Sequence, residues 1–284
     1  MPTAYPVWRR GSAAAATWCG SWAGKLALDD PLERHLPPSR HTGVTVREAL
    51  AQLSGLKPSA VQPESVGDAW DVPYSAPHAN PYGGLLAELI ARLDHEDWYA
   101  AVRRRVLDPL GLRSTSLGRA GGLPQAGRYY VPPGTDVALA EATLDPIEFG
   151  PIGFGPAAGF ASTARDLGEW GAFLADPTHE VLGADTVEEM CQPDATAGPD
   201  WSLNGGLGLM LLRHEGRVWV GHTRAAPGTR SGCFTHRESG ATGVVLMNQT
   251  AATAPGPFAA TLGSYVVEHD PALPHVWRPP APST

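Results

Sequence analysis

Ser12 follows Gly11 and heads a run of four alanines, which leaves a hydroxyl at the start of a helix-forming stretch. A hydroxyl there has two uses. It caps the free amides of the first turn, the commoner role, or it acts as a nucleophile when a base within reach takes its proton. The residue one helical turn further on is Ala15, and an alanine neither accepts a proton nor activates a hydroxyl. A second group is His78-Ala79-Asn80. Its imidazole carries a proton near neutral pH, and its carboxamide both donates and accepts hydrogen bonds. The structural alternative is a loop histidine bonded to backbone. A third group is His222-Thr223-Arg224, in which the guanidinium either fills space or grips an anion bidentately.

Other constellations exclude chemistries. His35, His41, His214 and His236 have neither the i, i+4 nor the paired Cys/His spacing of a metal site, so no metal and no other cofactor is implied. Gly205-Gly206-Leu207-Gly208 lacks the Lys-Ser/Thr of a phosphate loop and leads into a strand. Cys19, Cys191 and Cys233 are odd in number and widely spaced, which reads as free thiols and not as a disulfide framework. The tryptophans, including Trp18, Trp22, Trp98, Trp170 and Trp219, read as core, and Trp70 is the one expected near a pocket.

The elements that must position these groups follow from periodicity. The stretch 13–23 reads as a buried helix ended by Gly24, and Leu26 to Pro31 as a turn. Val46, Ala49, Leu50 and Leu53 have helical spacing behind a Thr45 cap. Lys57 to Pro81 is a long loop; Tyr82 to Leu93 and Asp97 to Leu107 are amphipathic helices, the second ended by Pro109. Residues 118–157 are rich in Gly and Pro, and Gly150 to Gly159 would suit the rim of a site. Thr163 caps a helix running through Leu174, with Asp166 completing a start that resembles a capping box. The last third switches to strands at Gly208–Leu212, Arg217–Val220, Ser231–Thr235 and Gly243–Met247, with turns at His214-Glu215-Gly216 and Arg237 to Gly240. Phe258 to Val267 is a closing helix and 271–284 a proline-rich disordered tail. Helices first, antiparallel strands late and a final helix describe an α+β layered protein.

Composition narrows the class further. The 33 Gly and 28 Pro indicate a loop-heavy fold, and a net charge of −8 with dispersed arginines leaves no basic face for nucleic acid. No apolar run approaches the roughly 18 residues of a membrane span. Trp8-Arg9-Arg10 before the alanines is superficially like an export signal, but Thr17, Gly20 and Ser21 interrupt the apolar segment. The expectation is a cytoplasmic protein whose partner is a small-molecule substrate or ligand; oligomeric state is not encoded legibly.

Five segments in order carry a family resemblance: Gly24-Lys25-Leu26-Ala27-Leu28-Asp29-Asp30-Pro31, Thr45 through Leu53-Ser54-Gly55-Leu56, Asn80-Pro81-Tyr82 into Leu85-Leu86, Asp108-Pro109-Leu110-Gly111-Leu112 with Thr115, and Val220-Gly221-His222-Thr223 through Pro227-Gly228. Together with Pro156 to Leu167, they make the chain similar to the serine β-lactamase-related family: class C β-lactamases, DD-carboxypeptidases and esterases of that fold. The resemblance spans about residues 24 to 268. It implies a β-lactamase/transpeptidase-like fold in a single domain 1–284, with a helical lobe over about 45–175 and an antiparallel sheet plus C-terminal helix over about 205–268. The family's two strands before the nucleophile helix are expected to be missing here.

The resemblance also assigns roles. The family's Ser-x-x-Lys pair maps by spacing onto Val7 and Arg10, or on a shortened helix onto Ser12 and Ala15, so the activating lysine is absent either way. The family's Tyr-x-Asn is matched by His78-Ala79-Asn80, with Tyr74-Ser75 as a competing alignment, and its Lys/His-Thr-Gly by His222-Thr223-Arg224, where arginine replaces the glycine. The implied activity is that of a serine hydrolase or acyltransferase on a small ester, amide or lactam. Ser12 or a water would be nucleophile, His78 the proton carrier, and Asn80, His222, Thr223 and Arg224 the substrate-binding groups. The alternative is a binding or assembly module that keeps the cleft and has lost the covalent machinery.

Overall fold

A sheet built from residues 203–247 is the frame of the molecule, and the two hairpin turns that set its register are written in local sequence. The computed structural model describes residues 5–6, 26–36, 43–51, 81–117, 126–127, 129, 160–178, 180–193, 202–226, 228–249 and 254–269. Five antiparallel strands lie in sequence order: β4 (Leu203–Gly205), β5 (Met210–His214), β6 (Arg217–Ala226), β7 (Thr229–His236) and β8 (Ala241–Met247). Between β5 and β6, Glu215 and Gly216 take φ of 49° and 75°, the two left-handed positions of a type I′ hairpin. That turn pairs His214 with Arg217 and so fixes which side chains face which way.

Alternation then gives the sheet two cores. One face carries Leu212, Trp219, Phe234 and Val245, and the closing helix (Pro255–His269) lies on it through Ala259, Ala260 and Val267. The other face carries Leu211, Val220 and Cys233, and packs against helices drawn from the first two thirds of the chain. Those helices are α1 (Val46–Ala51), α2 (Pro81–Asp94), α3 (Trp98–Val102), α4 (Ala164–Ala175) and α5 (Ala184–Met190); the closing helix is α6. A small second sheet joins β1 (Tyr5–Pro6), β3 (Phe160–Ser162) and β2 (Ser116–Leu117), with β3 in the middle. The architecture is α+β with an antiparallel sheet between helical layers, as expected.

Several local readings hold and several shift. The Thr45 start of α1 is a full capping box: Thr45 Oγ1 accepts from Glu48 N at 3.1 Å while Glu48 Oε2 accepts from Thr45 N at 2.8 Å. At α4 only half of that motif forms. Thr163 Oγ1 accepts from Asp166 N at 3.3 Å, but the Asp166 carboxylate accepts instead from Ser114 N and Thr115 Oγ1, both at 2.8 Å. The helix after Asp97 is α-helical only to Val102 and widens into a π turn over Arg103–Leu107, with Asp108 N donating to Arg103 O at 2.8 Å. Pro109 has no N–H to return to Arg105, which removes one bond that would have kept the tighter helix. Helix α5 and strand β4 lie between Leu174 and Gly208, a stretch to which the sequence reading assigns no element. The helix expected over 13–23, the loop after Lys57, the rim at 150–159 and the tail 271–284 lie outside the described residues.

Candidate functional site

His222, Thr223 and Arg224 sit on β6, and the site is best built from that strand. Its pairing with β5 ends at Gly221 opposite Met210, whereas its pairing with β7 continues through Ala226 opposite Thr229. From His222 onward, β6 is therefore an edge with no strand partner on the β5 side among the described residues. The hairpin to β7 is closed by Gly228 at φ 74°, part of the Pro-Gly signal.

The pleat divides the three residues. His222 is opposite Cys233 and Arg224 opposite Ser231; Cys233 Sγ contacts Leu167 O of α4 at 3.5 Å, so this face looks toward the helical layer. Thr223 points the other way. Its hydroxyl lies 3.6 Å from Met210 Sδ, and a Cβ added at Gly256 of α6 would come within 2.9 Å of its methyl. Thus the structure brings His222 and Arg224 together on one face and turns the Thr223 side chain to α6. Thr223 still acts on its neighbour, because its carbonyl accepts from His222 Nδ1 at 2.5 Å. A carbonyl only accepts, so Nδ1 carries the proton and Nε2 is the acceptor nitrogen of the neutral ring. His222 is buried and Arg224 half-buried. Ser12, His78 and Asn80 lie outside the described residues, as does Trp70.

Two tight contacts hold the strand in place. Gly221, just before the three residues, has Cys233 O where a Cβ would stand, at 1.9 Å, so no larger residue fits there. Gly232 meets Pro255 O at 2.5 Å in the same sense, which seats the start of α6 directly behind the edge.

His41 lies outside the described residues, and the other histidines singled out by sequence are structural in their geometry. His35 Nε2 bonds Asp30 at 3.1 Å and His214 Nε2 bonds Thr261 at 2.8 Å. No cluster of three His, Cys, Asp or Glu able to hold a metal occurs among the described residues. Cys191 and Cys233 are free thiols; burial pushes them up to about 11 and about 12, so neither is a thiolate at neutral pH. Trp98, Trp170 and Trp219 are core. No described helix is long and apolar enough to cross a membrane.

Comparison with known proteins follows the same frame. A model of the Beta-lactamase family matches residues 22–267. Among solved structures, a D-stereospecific amidohydrolase from Streptomyces sp. is similar with TM-score 0.69 at 21% identity over 87% of this chain and 83% of that one. A penicillin-binding protein homologue from Pyrococcus abyssi, described as octameric, has TM-score 0.74 at 18% identity over 94% and 66%. A penicillin binding protein from Bacillus halodurans has TM-score 0.70 at 19% identity over 93% and 85%. At such identities these three speak for the fold alone. No curated protein matches the sequence. With a family match running from before the Leu26 turn to the last turn of α6, around a sheet and helices of the same architecture, the chain belongs to the Beta-lactamase family.

Proposed function

We propose that the protein is a hydrolase or acyltransferase that acts on a small amide, ester or lactam bearing an anionic group. The observation that carries this reading is the pairing of His222 and Arg224 on one face of β6 where it becomes an edge. An edge strand offers backbone groups to a substrate lying alongside it. Arg224 offers a planar fork to a carboxylate, and His222 an acceptor nitrogen to a substrate N–H. The D-amino acid amidase from Ochrobactrum anthropi SV3 and the Streptomyces amidohydrolase, both of this fold, support an amide as the first substrate to try.

In this reading Ser12 Oγ attacks the carbonyl carbon as His78 takes its proton. His78 returns that proton to the leaving amine or alcohol, and water then releases the acyl group by the reverse proton path. Asn80 holds the substrate amide, and Thr223 holds His222 through its carbonyl. A second reading rests on Ala15 at the place of the family's lysine: the fold serves as a non-acylating binding module.

Intact-protein mass spectrometry separates the two. Incubation with a fluorophosphonate, and separately with a β-lactam, is expected to give a stoichiometric adduct that Ser12→Ala abolishes. The same protein should hydrolyse D-phenylalaninamide, and Arg224→Ala should raise KM selectively for substrates with a free carboxylate. No adduct with either probe on folded protein refutes the covalent mechanism and leaves the binding module.

A further inference from the structure

The outward face of α6 takes no part in the chemistry of β6, and it is apolar where a surface helix ordinarily presents charge to water. The helix rests on the sheet through Ala259, Ala260, Gly263 and Val267. Outward it carries Phe258, Thr261, Leu262, Tyr265, Val266 and His269. Tyr265 is 62% exposed, and Phe258, Leu262 and Val266 are exposed by 45%, 41% and 42%. The acidic residue of the helix, Glu268, pairs instead with Arg217 of β6 at 3.5 Å. Tyr265 and His269 stack with ring centroids 4.0 Å apart and planes 19° from parallel, and His269 Nδ1 donates to Tyr265 O at 2.8 Å. The C-terminal end of the apolar stripe is thus a fixed aromatic platform.

The size of this face argues against a second copy as its cover. Four half-covered side chains of this kind expose roughly 400 Å² together. Two molecules paired through them would bury roughly 800 Å², below the roughly 1,200 Å² at which stable interfaces begin. A segment of the same chain needs less, because its tether already holds it at a high local concentration.

The chain supplies such a segment directly after His269: Asp270-Pro271-Ala272-Leu273-Pro274-His275-Val276-Trp277-Arg278. Its prolines disfavour helix and sheet and favour polyproline II, which has three residues per turn. That period sorts the side chains into three ridges: Leu273 with Val276, Pro274 with Trp277, and Ala272 with His275 and Arg278. Two ridges are apolar and the third is polar at its far end, so a strip of this sequence has one side for an apolar surface and one for water. The lengths agree as well. From His269 back to Phe258 is about 16 Å of helix, which a polyproline strip spans in about five residues. With a reversal at Asp270-Pro271, Leu273 falls at Tyr265 and Val266, Val276 near Leu262, and Trp277 at Phe258.

We propose that residues 272–277 dock as a polyproline strip, antiparallel to α6, on the face formed by Phe258, Leu262, Tyr265 and Val266. Proline-rich strips suit aromatic-lined surfaces because their extended form is set in advance and loses little entropy on docking. The strip holds α6 down on the sheet, where Gly256 lies against Thr223 and Pro255 against Gly232. This docking is independent of the reading given for β6.

The test uses the full chain with Leu262 replaced by the photo-crosslinker p-benzoylphenylalanine. Irradiation of dilute protein, followed by peptide mass spectrometry, is expected to join position 262 to the segment 271–278 of the same chain. Adding Leu273→Ser and Trp277→Ser should lower the yield about tenfold, the contribution of one buried apolar side chain. A second readout needs no label. Chymotrypsin cuts after Trp277, and it should do so about tenfold faster in Leu262→Glu/Val266→Glu than in the wild type; both positions are exposed, and circular dichroism checks that the variant is folded. The proposal is overturned if folded protein gives no crosslink to 271–278, if the crosslinks join two copies of the chain, or if wild type and variant are cut after Trp277 at the same rate.

Discussion

Asp166 is the residue whose surroundings differ most from what its sequence position implies. Its carboxylate is buried, with Asp166 5% exposed, and it anchors the turn at Ser114 and Thr115 to the start of α4, across 52 and 51 residues of chain. Thr115 Oγ1 in turn contacts Ser162 Oγ at 2.7 Å. Replacing Asp166 by alanine leaves the half-buried Ser114 N–H without its acceptor and the Thr115 hydroxyl with Ser162 alone, and should cost about 2 kcal/mol in urea unfolding; Asp166→Asn, which keeps one acceptor oxygen, should cost less. Asp30 shows an effect of pH. Hydrogen bonds from Ala27 N, then His35, then Arg34 hold its carboxyl down from 3.8 to about 2. A lowered folded-state value means the carboxylate stabilises the fold fully above about 3.8 and loses that contribution as pH falls toward about 2. Urea midpoints taken across that window should therefore fall with acidification more steeply in the wild type than in Asp30→Asn.

At the scale of elements, α6 and β8 approach so closely that only glycine fits between them. A Cβ at Gly243 would stand 1.8 Å from Ala259 O, and one at Gly263 would stand 2.4 Å from the Trp219 ring. Because the first clash is with backbone, Gly243→Ala forces the whole helix to shift and should destabilise by about 3 kcal/mol, read as a lowered thermal midpoint. The capping box at α1 belongs to the same scale. Thr45→Ala should cost about 1 kcal/mol, the size at which a short six-residue helix notices the loss. The glycines explain why the type of each strand was legible and its length was not. Gly243 lies within β8 and reads locally as the start of a strand, whereas in space it, like Gly232 of β7, is a point of contact with α6. The Glu215-Gly216 turn, by contrast, needs only its own two residues, and sequence located it correctly.

For the molecule as a whole, one sheet is shared by two cores, so neither core survives without the strands the other needs. Trp219 is fully buried on the α6 side and Trp170 nearly so on the side of α4. Urea transitions followed by total tryptophan fluorescence and by far-ultraviolet circular dichroism should coincide as single steps with the same slope, as expected of one cooperative domain. Distinct slopes, each smaller than the calorimetric unfolding implies, would divide the chain into two units instead.

The sequence by itself determined what depends on neighbours within a few residues: the helix starts at Thr45, Asp97 and Thr163, the hairpin turns, the late antiparallel strands, and the ordered motifs that resemble one family. It also put His222, Thr223 and Arg224 side by side. Tertiary structure decided what each of them faces, because the strand's two-residue alternation acquires a meaning only once α4 and α6 are seated on opposite sides of the sheet. It decided the Asp166 anchor for the same reason: its partners are about 50 residues away, and no spacing rule reaches across that distance.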